Sequence, residues 1–300
     1  MRVFITGASG WVGSAVVKEL LAAGHHVLGL VRSEAGAKKV AELGAEVLHG
    51  TLDDLAVLQQ AAAQADGVIH TAFNHDFSKI VASSEQERRA IEAIGGVLEG
   101  SQRPFVVTSG VALLAPGRVT SEDDATRPPL ASFPRSPETA AFAFAARGVR
   151  TAAIRLAPTV HGIGDNGFVP RLVQLARQTG VSAYVDEGRN RWPAVHCLDA
   201  AHLYRLALEN DAAQGPFHAI AEEGVPVRQI AEAIGRGLNI PVVSLSGDKV
   251  AEHFGWFANF AAIDCPSSSP RSRNLLGWQP EQPTLLEDMD KAAYFEAHNR

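Results

Sequence analysis

Apolar and polar positions follow one another along the chain in a way that predicts strands and helices in turn. An apolar run at residues 3–5 ends at Thr6 and Gly7, and apolar positions three to four residues apart follow across residues 12–20. This change of period is typical of a buried strand that turns directly into a helix. The same alternation predicts strands at 27–31, 46–49, 67–72, 105–109 and 149–156 and helices at 37–43, 55–65 and 84–100. We therefore expect an α/β fold with a parallel sheet.

The pattern changes after residue 161, where strands and helices no longer alternate regularly. Helices are predicted at 168–179, 199–208, 226–238, 248–254 and 272–276, and strands at 181–185, 192–196 and 217–221. We expect a larger domain at residues 1–160 and a smaller α/β region at residues 161–300, with residues 193–221 returning to the larger domain.

Three glycines separate the first strand from the first helix, with the spacing Gly7-x-x-Gly10-x-x-Gly13. The first permits a tight turn, the second lets backbone N–H groups approach a pyrophosphate, and the third brings helix and strand together. The positive end of the helix then faces the phosphates. The motif predicts dinucleotide binding on a Rossmann-type doubly wound sheet, with contacts from Thr6, Gly7, Gly10, Trp11, Val12 and Gly13. A plain structural turn is the alternative.

The end of the second strand indicates which dinucleotide is bound. A site for NAD needs a carboxylate there to hold the ribose 2′-hydroxyl, whereas this chain has Arg32 and Ser33. A guanidinium and a hydroxyl suit a 2′-phosphate, so the predicted cofactor is NADP. The alternative is that Arg32 is only a solvated charge at a strand end.

Further cofactor contacts are expected where the later strands end. Asp53, with Leu52, is placed beside the adenine, and its alternative role is the N-cap of the helix at 55–65. The remaining candidates lie at or just after the ends of strands four, five and six, and they are Thr71, Ala72, Phe73, Thr108 and Pro158.

Two loops are candidates for the substrate side of the cleft. The loop at 73–77 is polar and aromatic together, and it carries His75 and Asp76. Because ligands lie beyond the carboxyl ends of parallel strands, this loop is expected to border the nicotinamide or the substrate. The proline-rich and acidic loop at 115–134 is interpreted as a lid segment or, equally, as a disordered surface loop.

Composition and charge narrow the classes of partner. The chain has 300 residues, 46% hydrophobic content and a net charge of −6, with no basic block. Nothing favours nucleic acid or a membrane, and with a strand beginning near the N-terminus we expect a cytoplasmic protein, monomeric or homodimeric. Cys197 and Cys265 have no metal-ligand spacing and are interpreted as packing residues, so no metal site is predicted.

With these segments placed, the chain resembles the extended and atypical short-chain dehydrogenase/reductases, the NAD-dependent epimerase/dehydratase-like group. The resemblance covers nearly the whole length and implies a nucleotide-binding domain followed by a smaller substrate-binding region. It rests on Thr6-Gly7-x-x-Gly10-x-x-Gly13, Leu52-Asp53, the segment from Arg155 to Gly162, Val195-His196-x-x-Asp199, and the segment from Leu275 to Pro280.

The chain departs from this group in its catalytic residues. Reductases of the group use a serine after strand five and then Tyr-x-x-x-Lys, but here Gly110 takes the position of the serine and Ser109 precedes it. The best register places Phe133 and Pro137 on the tyrosine and the lysine, and neither side chain has a proton to donate. No other tyrosine fits the register, since the chain has only Tyr184, Tyr204 and Tyr294.

Two classes of function remain open. In the first, the protein is an NADP(H)-dependent oxidoreductase for a small carbonyl or alcohol, with a different proton donor chosen from His75, Asp76, Ser109 and His161. An epimerase or dehydratase is a variant of this reading. In the second, the protein binds or senses NADP(H) and does no chemistry, which the missing tyrosine and lysine would also explain.

Overall fold

The structure, a computed structural model, describes residues 1–295 of the chain apart from the side chain of Phe77. The strands are β1 Arg2–Thr6, β2 His26–Val31, β3 Glu46–His49, β4 Gly67–His70, β5 Pro104–Gly110, β6 Arg150–Leu156, β7 Thr159–His161, β8 Ser182–Val185, β9 Arg191–His196, β10 Gly215–Ala219, β11 Glu222–Pro226 and β12 Val242–Leu245. The helices are α1 Trp11–Ala22, α2 Glu34–Glu42, α3 Leu55–Ala63, α4 Ile80–Leu98, α5 Pro137–Phe142, α6 Phe168–Thr179, α7 Cys197–Glu209, α8 Val227–Leu238, α9 Asp248–Phe254, α10 Ala258–Ala262, α11 Pro270–Leu276, α12 Leu285–Met289 and α13 Ala292–Phe295.

The main sheet has seven parallel strands in the order β10-β6-β5-β4-β1-β2-β3. Its central strands are apolar and buried on both faces, as the near-continuous apolar runs predicted. The chain moves outward in one direction from β1 to β3 and in the other from β4 to β10. The direction reverses between β1 and β4, which is where a doubly wound sheet binds its ligand. The predicted α/β, Rossmann-type fold is confirmed.

The part of the chain after β6 builds a second, smaller layer with its own apolar core. It holds a three-stranded sheet, β11-β9-β7, and a parallel pair, β12-β8, covered by helices that include α6 and α8. The residues from 193 to 221 divide between the two parts, since β10 joins the main sheet whereas β9 joins the small one. The pattern did not predict β7, β11 or β12, because these strands are short and mix polar with apolar residues.

The long loop at 115–134 is anchored over its first half. Gly117 and Thr120 donate backbone hydrogen bonds to the carbonyl oxygens of Asp264 and Pro266. The buried carboxylate of Glu122 accepts hydrogen bonds from the backbone N–H and the hydroxyl of Ser272, both at 2.9 Å. This half of the loop is therefore part of the packed structure and is not a disordered surface loop, whereas the lid interpretation stays a prediction.

Candidate functional site

Two of the three motif glycines are required by close packing at the point where the sheet reverses. Gly7 has a φ of +74°, and a Cβ added there would lie 2.7 Å from the backbone nitrogen of Ala72. A Cβ added at Gly13 would lie 2.1 Å from the carbonyl oxygen of Gly7. Both distances are far below an ordinary van der Waals contact. These glycines bring α1, β1 and the end of β4 together, as the spacing predicted for a turn and for helix–strand contact.

The start of α1 is open and positively polarised. Gly10 is exposed, and a Cβ added there would meet only the carbonyl oxygen of Gly7, at 3.2 Å. The first amide of this helix to bond within it is that of Ser14, which donates to the carbonyl oxygen of Gly10. The amides of Trp11, Val12 and Gly13 precede it, and the first turn carries no acidic residue. Such a terminus fits a pyrophosphate.

The side chain of Trp11 has a structural contact of its own. Its indole Nε1 donates to the carbonyl oxygen of Val160 at 2.7 Å. This bond ties the start of α1 to β7 of the smaller layer. A cofactor contact from this residue would therefore come from its backbone.

The end of β2 presents a cation without a carboxylate partner. Arg32 is exposed, and its side chain has no hydrogen bond or ion pair with residues 1–295. Ser33 is the N-cap of α2, and its hydroxyl accepts a hydrogen bond from the N–H of Gly36 at 3.2 Å. Nearby, Lys39 Nζ donates to the carbonyl oxygen of Ser9 at 2.9 Å. Lys39 and the N-terminus of α2 thus lie beside the glycine motif, with Arg32 just before the N-cap, although Glu34 in the first turn of α2 adds one negative charge.

The carboxylate of Asp53 pairs with α4 instead of capping α3. It accepts hydrogen bonds from Gln86 Nε2 at 2.5 Å and Arg89 Nη2 at 2.9 Å. Asp54 occupies the N-cap position, and its carboxylate binds the backbone N–H and hydroxyl of Thr51. The interpretation of Asp53 as an N-cap is therefore wrong by one residue. Its place beside an adenine stays a prediction, next to the buried Leu52.

The residues after β4 line the reversal point, whereas Thr108 turns into the core. The hydroxyl of Thr71 donates to the carbonyl oxygen of Thr6 at 2.8 Å, beside Ala72 and Phe73. The Oγ1 of Thr108 donates to the carbonyl oxygen of His70 at 2.8 Å and lies 2.7 Å from the hydroxyl of Tyr204. Its side chain is therefore fully engaged. Pro158, in the short connection between β6 and β7, is half-buried.

Ser109 is part of a buried ionic network. Its hydroxyl donates to Glu138 Oε1 at 2.6 Å. Arg155 donates hydrogen bonds to the same carboxylate from Nε at 2.9 Å and Nη2 at 2.8 Å, and its Nη1 donates to the carbonyl oxygen of Asp124. With 3% of its surface exposed, Ser109 has a structural partner and little access to a ligand.

His161 is likewise buried and hydrogen-bonded within the protein. Its Nδ1 lies 2.8 Å from Asp288 Oδ2, and its ring meets the ring of His196 edge to face with centroids 5.4 Å apart. Burial lowers the pKa of His161, and the hydrogen bond with Asp288 opposes that effect only in part. The residue joins β7 to α12.

The loop after β4 gives its two candidates different surroundings. The carboxylate of Asp76 accepts hydrogen bonds from the N–H and the hydroxyl of Ser78 at 3.1 and 2.5 Å, which lower its pKa, so it caps a short 3₁₀ turn. His75 stands exposed, and its ring meets the ring of Phe73 edge to face, with centroids 5.3 Å apart. Desolvation, and then the charge of Arg135, lower the pKa of His75.

Sequence reasoning missed a buried ion pair at this edge, Arg135 with Glu87. Arg135 Nε and Nη2 donate to the two carboxylate oxygens of Glu87 at 3.0 and 2.7 Å. Arg135 lies inside the segment from Phe133 to Pro137 that replaces Tyr-x-x-x-Lys. An available signal was the presence of a cation within a segment that had lost its lysine.

Among residues 1–295, no helix is both long enough and apolar enough to cross a membrane. The same residues hold no group of three or more histidine, cysteine or acidic side chains arranged to bind a metal ion. Cys197 and Cys265 are both buried and reduced, as packing residues would be.

Comparison with known proteins agrees with this architecture. The profile of the NmrA-like family matches residues 1–97. The chain is 48% identical to an uncharacterized protein of Schizosaccharomyces pombe over 98% of this chain and 100% of that protein. It is 28% identical to 4-hydroxy-2-methyl-3-oxo-4-farnesyl-3,4-dihydroquinoline-1-oxide ketoreductase of Stigmatella aurantiaca, over 85% of this chain and 80% of that enzyme.

Among solved structures, dTDP-glucose 4,6-dehydratase from Streptomyces venezuelae with bound NAD has the same fold. It superposes with a TM-score of 0.77 at 17% identity, covering 98% of this chain and 96% of that one. The sequence relatives, the strand order and the glycine turn at its reversal point agree with one another. The chain belongs to the extended and atypical short-chain dehydrogenase/reductases, the NAD-dependent epimerase/dehydratase-like family.

Proposed function

We propose that the protein is an NADP(H)-dependent oxidoreductase that acts on a small carbonyl or alcohol. One observation carries this proposal: an open helix N-terminus lies at the reversal point of the sheet, next to a strand end that carries Arg32 in place of a carboxylate. The first feature suits a pyrophosphate and the second suits a 2′-phosphate. The names of the ketoreductase relative and of the NAD-bound dehydratase support a nicotinamide cofactor.

The residues present fit such a cofactor. The amides of residues 11–13 would hold the pyrophosphate, Arg32 and Ser33 the 2′-phosphate, and residues 52–53 the adenine. The small residues Thr71 and Ala72 leave room for the ribose of the nicotinamide half. When bound, the reduced nicotinamide supplies a hydride, so that a carbonyl, NADPH and one proton give an alcohol and NADP⁺.

The proton requires a donor other than tyrosine. Ser109 and His161 are buried inside the protein, and Asp76 caps a 3₁₀ turn. His75 lies on the exposed loop beyond the end of β4, where a ligand can reach its ring. We therefore assign the proton to His75 in its protonated form, whose lowered pKa makes the imidazolium a stronger acid. General acid catalysis of this kind contributes about 10²–10⁴-fold, so turnover in His75→Ala at saturating NADPH should fall by at least tenfold. An unchanged turnover in that variant would remove His75 from the mechanism.

The experiment that tests the function is steady-state oxidation of NADPH and of NADH against a panel of ketones and aldehydes. We expect turnover with at least one carbonyl compound, faster with NADPH, and none in Gly10→Val, whose side chain would fill the pyrophosphate path. Tight binding of NADPH without turnover of any compound would favour the alternative of a binding or sensing protein. Absence of NADPH binding would contradict the proposal altogether.

A further inference from the structure

Two buried arginine–glutamate pairs stand near the carboxyl ends of β5 and β6, and they differ in one respect. Arg155 uses all three of its nitrogens: Nε and Nη2 hold Glu138, and Nη1 donates to the carbonyl oxygen of Asp124. Arg135 uses only two, since Nε and Nη2 hold Glu87 and Nη2 also donates to the carbonyl oxygen of Thr108 at 3.0 Å. Among residues 1–295, nothing accepts a hydrogen bond from Arg135 Nη1.

The unused nitrogen lies where a substrate is expected. Thr108 is near the end of β5, and Phe73 follows the end of β4. The guanidinium carbon of Arg135 stands 4.4 Å from the centroid of the Phe73 ring, and Phe73 also meets the ring of His75 edge to face. The side chain of Arg135 keeps 13% of its surface exposed. Its two free N–H bonds are therefore accessible beyond the ends of these strands.

The guanidinium is fixed before any ligand arrives. Two hydrogen bonds to one carboxylate and one to a backbone carbonyl hold its plane, and the face of Phe73 supports it. A donor that is held in place stabilises a developing negative charge without reorganisation at the moment of reaction. Since an arginine side chain keeps its proton in proteins, it donates hydrogen bonds and does not supply the proton of the reaction.

The partner carboxylate determines the kind of substrate that suits this donor. Glu87 is 2% exposed and neutralises the charge of Arg135. A carboxylate substrate would bring an uncompensated negative charge into a partly buried and already neutral pair, which is costly. A neutral carbonyl oxygen needs no compensation in the ground state and gains from the two N–H groups as it becomes negative.

We propose that Arg135 binds and polarises the substrate carbonyl oxygen through Nη1, and that Glu87 makes the site select neutral ketones and aldehydes over keto acids. This inference rests on the proposed function and specifies its substrate class. In this arrangement Arg135 would contact the substrate and act as a catalytic residue beside the proton donor, and Glu87 is a positioning residue that acts through Arg135.

A matched pair of probes tests the inference: ethyl acetoacetate, which is neutral, and acetoacetate, which carries the same ketone beside a carboxylate. Saturation-transfer NMR on the complex with NADP⁺ reports binding of each probe without turnover. We expect a signal from the ester in the wild type and a signal at least tenfold weaker from the acid. In Arg135→Met the ester signal should disappear while the Kd for NADPH stays within twofold. Arg135→Lys should keep part of the signal, because lysine retains the positive charge but lacks the planar guanidinium with its several N–H donors.

Activity and charge give two further readouts. With NADPH, kcat/KM for the ester should fall about 10²-fold in Arg135→Met, as for loss of one fixed donor. Glu87→Gln should shift the preference toward acetoacetate by at least tenfold. Arg127→Met is the control, since Arg127 is an exposed arginine of the same region that donates to the carbonyl oxygen of Ala112. Circular dichroism shows whether each variant is folded.

The outcomes separate this inference from the function on which it rests. A wild type that binds no NADPH overturns the proposed function. A wild type that binds NADPH but gives no signal from the ester, or equal signals from both probes, overturns the substrate class. A folded Arg135→Met that binds and reduces the ester like the wild type, or an Arg127→Met that loses it equally, overturns the assignment of Arg135.

Discussion

The two halves of the sheet's carboxyl edge differ in whether their polar groups are open to a ligand or hydrogen-bonded within the protein. On the side of β1 to β3, the amides at the start of α1 are open and Arg32 is exposed. On the side of β4 to β6, the hydroxyls of Thr108 and Ser109 donate hydrogen bonds within the protein. A nucleotide site made largely of backbone needs its groups left open. A substrate site can be built around a single fixed donor. Of the two buried arginine–glutamate pairs described on that side, Arg155 uses all three of its nitrogens, whereas Arg135 keeps Nη1 for a ligand.

The largest contrast is expected between two glycines of the same turn. In Gly13→Val the new Cβ would overlap the carbonyl oxygen of Gly7 at 2.1 Å, so the free energy of unfolding should fall by about 4 kcal/mol or more. In Gly10→Val the nearest atom is at 3.2 Å and the backbone φ of −70° suits any residue, so the fold should persist while NADPH binding is lost. Urea unfolding together with NADPH titration measures both. Equal stabilities of the two variants would show that the packing at Gly13 is misassigned.

A smaller effect is expected from His70, which is fully buried with Nδ1 at 2.8 Å from Thr6 Oγ1. Burial, and then the charge of Arg135, lower the pKa of His70 from 6.5 to about 3. The unfolded chain takes up a proton below pH 6.5 and the folded protein does not, so this contribution to stability is complete above pH 6.5 and is lost as the pH falls toward 3.

Replacing His70 should therefore make the free energy of unfolding depend less on pH. Between pH 7 and pH 5, His70→Gln should lose about 2 kcal/mol less unfolding free energy than the wild type. Urea titrations at the two pH values measure the difference. His26→Gln, at an exposed position, is the control and should keep the full pH dependence of the wild type. If the free energy of unfolding changes equally with pH in His70→Gln and in the wild type, His70 is protonated in the folded protein.

The smallest effect is expected at Ser109, and it separates a structural hydroxyl from a catalytic one. Ser109→Ala removes one hydrogen bond to the Glu138 carboxylate, which should cost about 1.5 kcal/mol of stability. Turnover at saturating NADPH should stay within about threefold of the wild type, whereas loss of a catalytic acid or base typically costs about 10²-fold or more. A hundredfold loss of turnover without loss of stability would return Ser109 to the reaction.

The same contrast explains how much could be predicted from the sequence. The strand order and the glycine turn follow from local periodicity and from backbone geometry, both of which a single sequence displays. The fate of a side chain at a strand end depends on partners far along the chain, such as Glu138 for Ser109 and Asp288 for His161. No spacing rule indicated those pairs. Arg135 could not be predicted as a site residue for the same reason, because its position is fixed by the ion pair with Glu87, 48 residues earlier.

The claim on which the account depends most is that the open half of the edge holds NADP(H), and a direct titration of NADPH and NADH into the wild type and Arg32→Ala tests it. A charge-assisted pair between Arg32 and a 2′-phosphate is worth about 1.5–3 kcal/mol, so NADPH should bind about tenfold to a hundredfold more tightly than NADH in the wild type. In Arg32→Ala the two affinities should become nearly equal, through weaker binding of NADPH alone. Equal affinities in the wild type, or a preference that survives the loss of Arg32, would contradict the account.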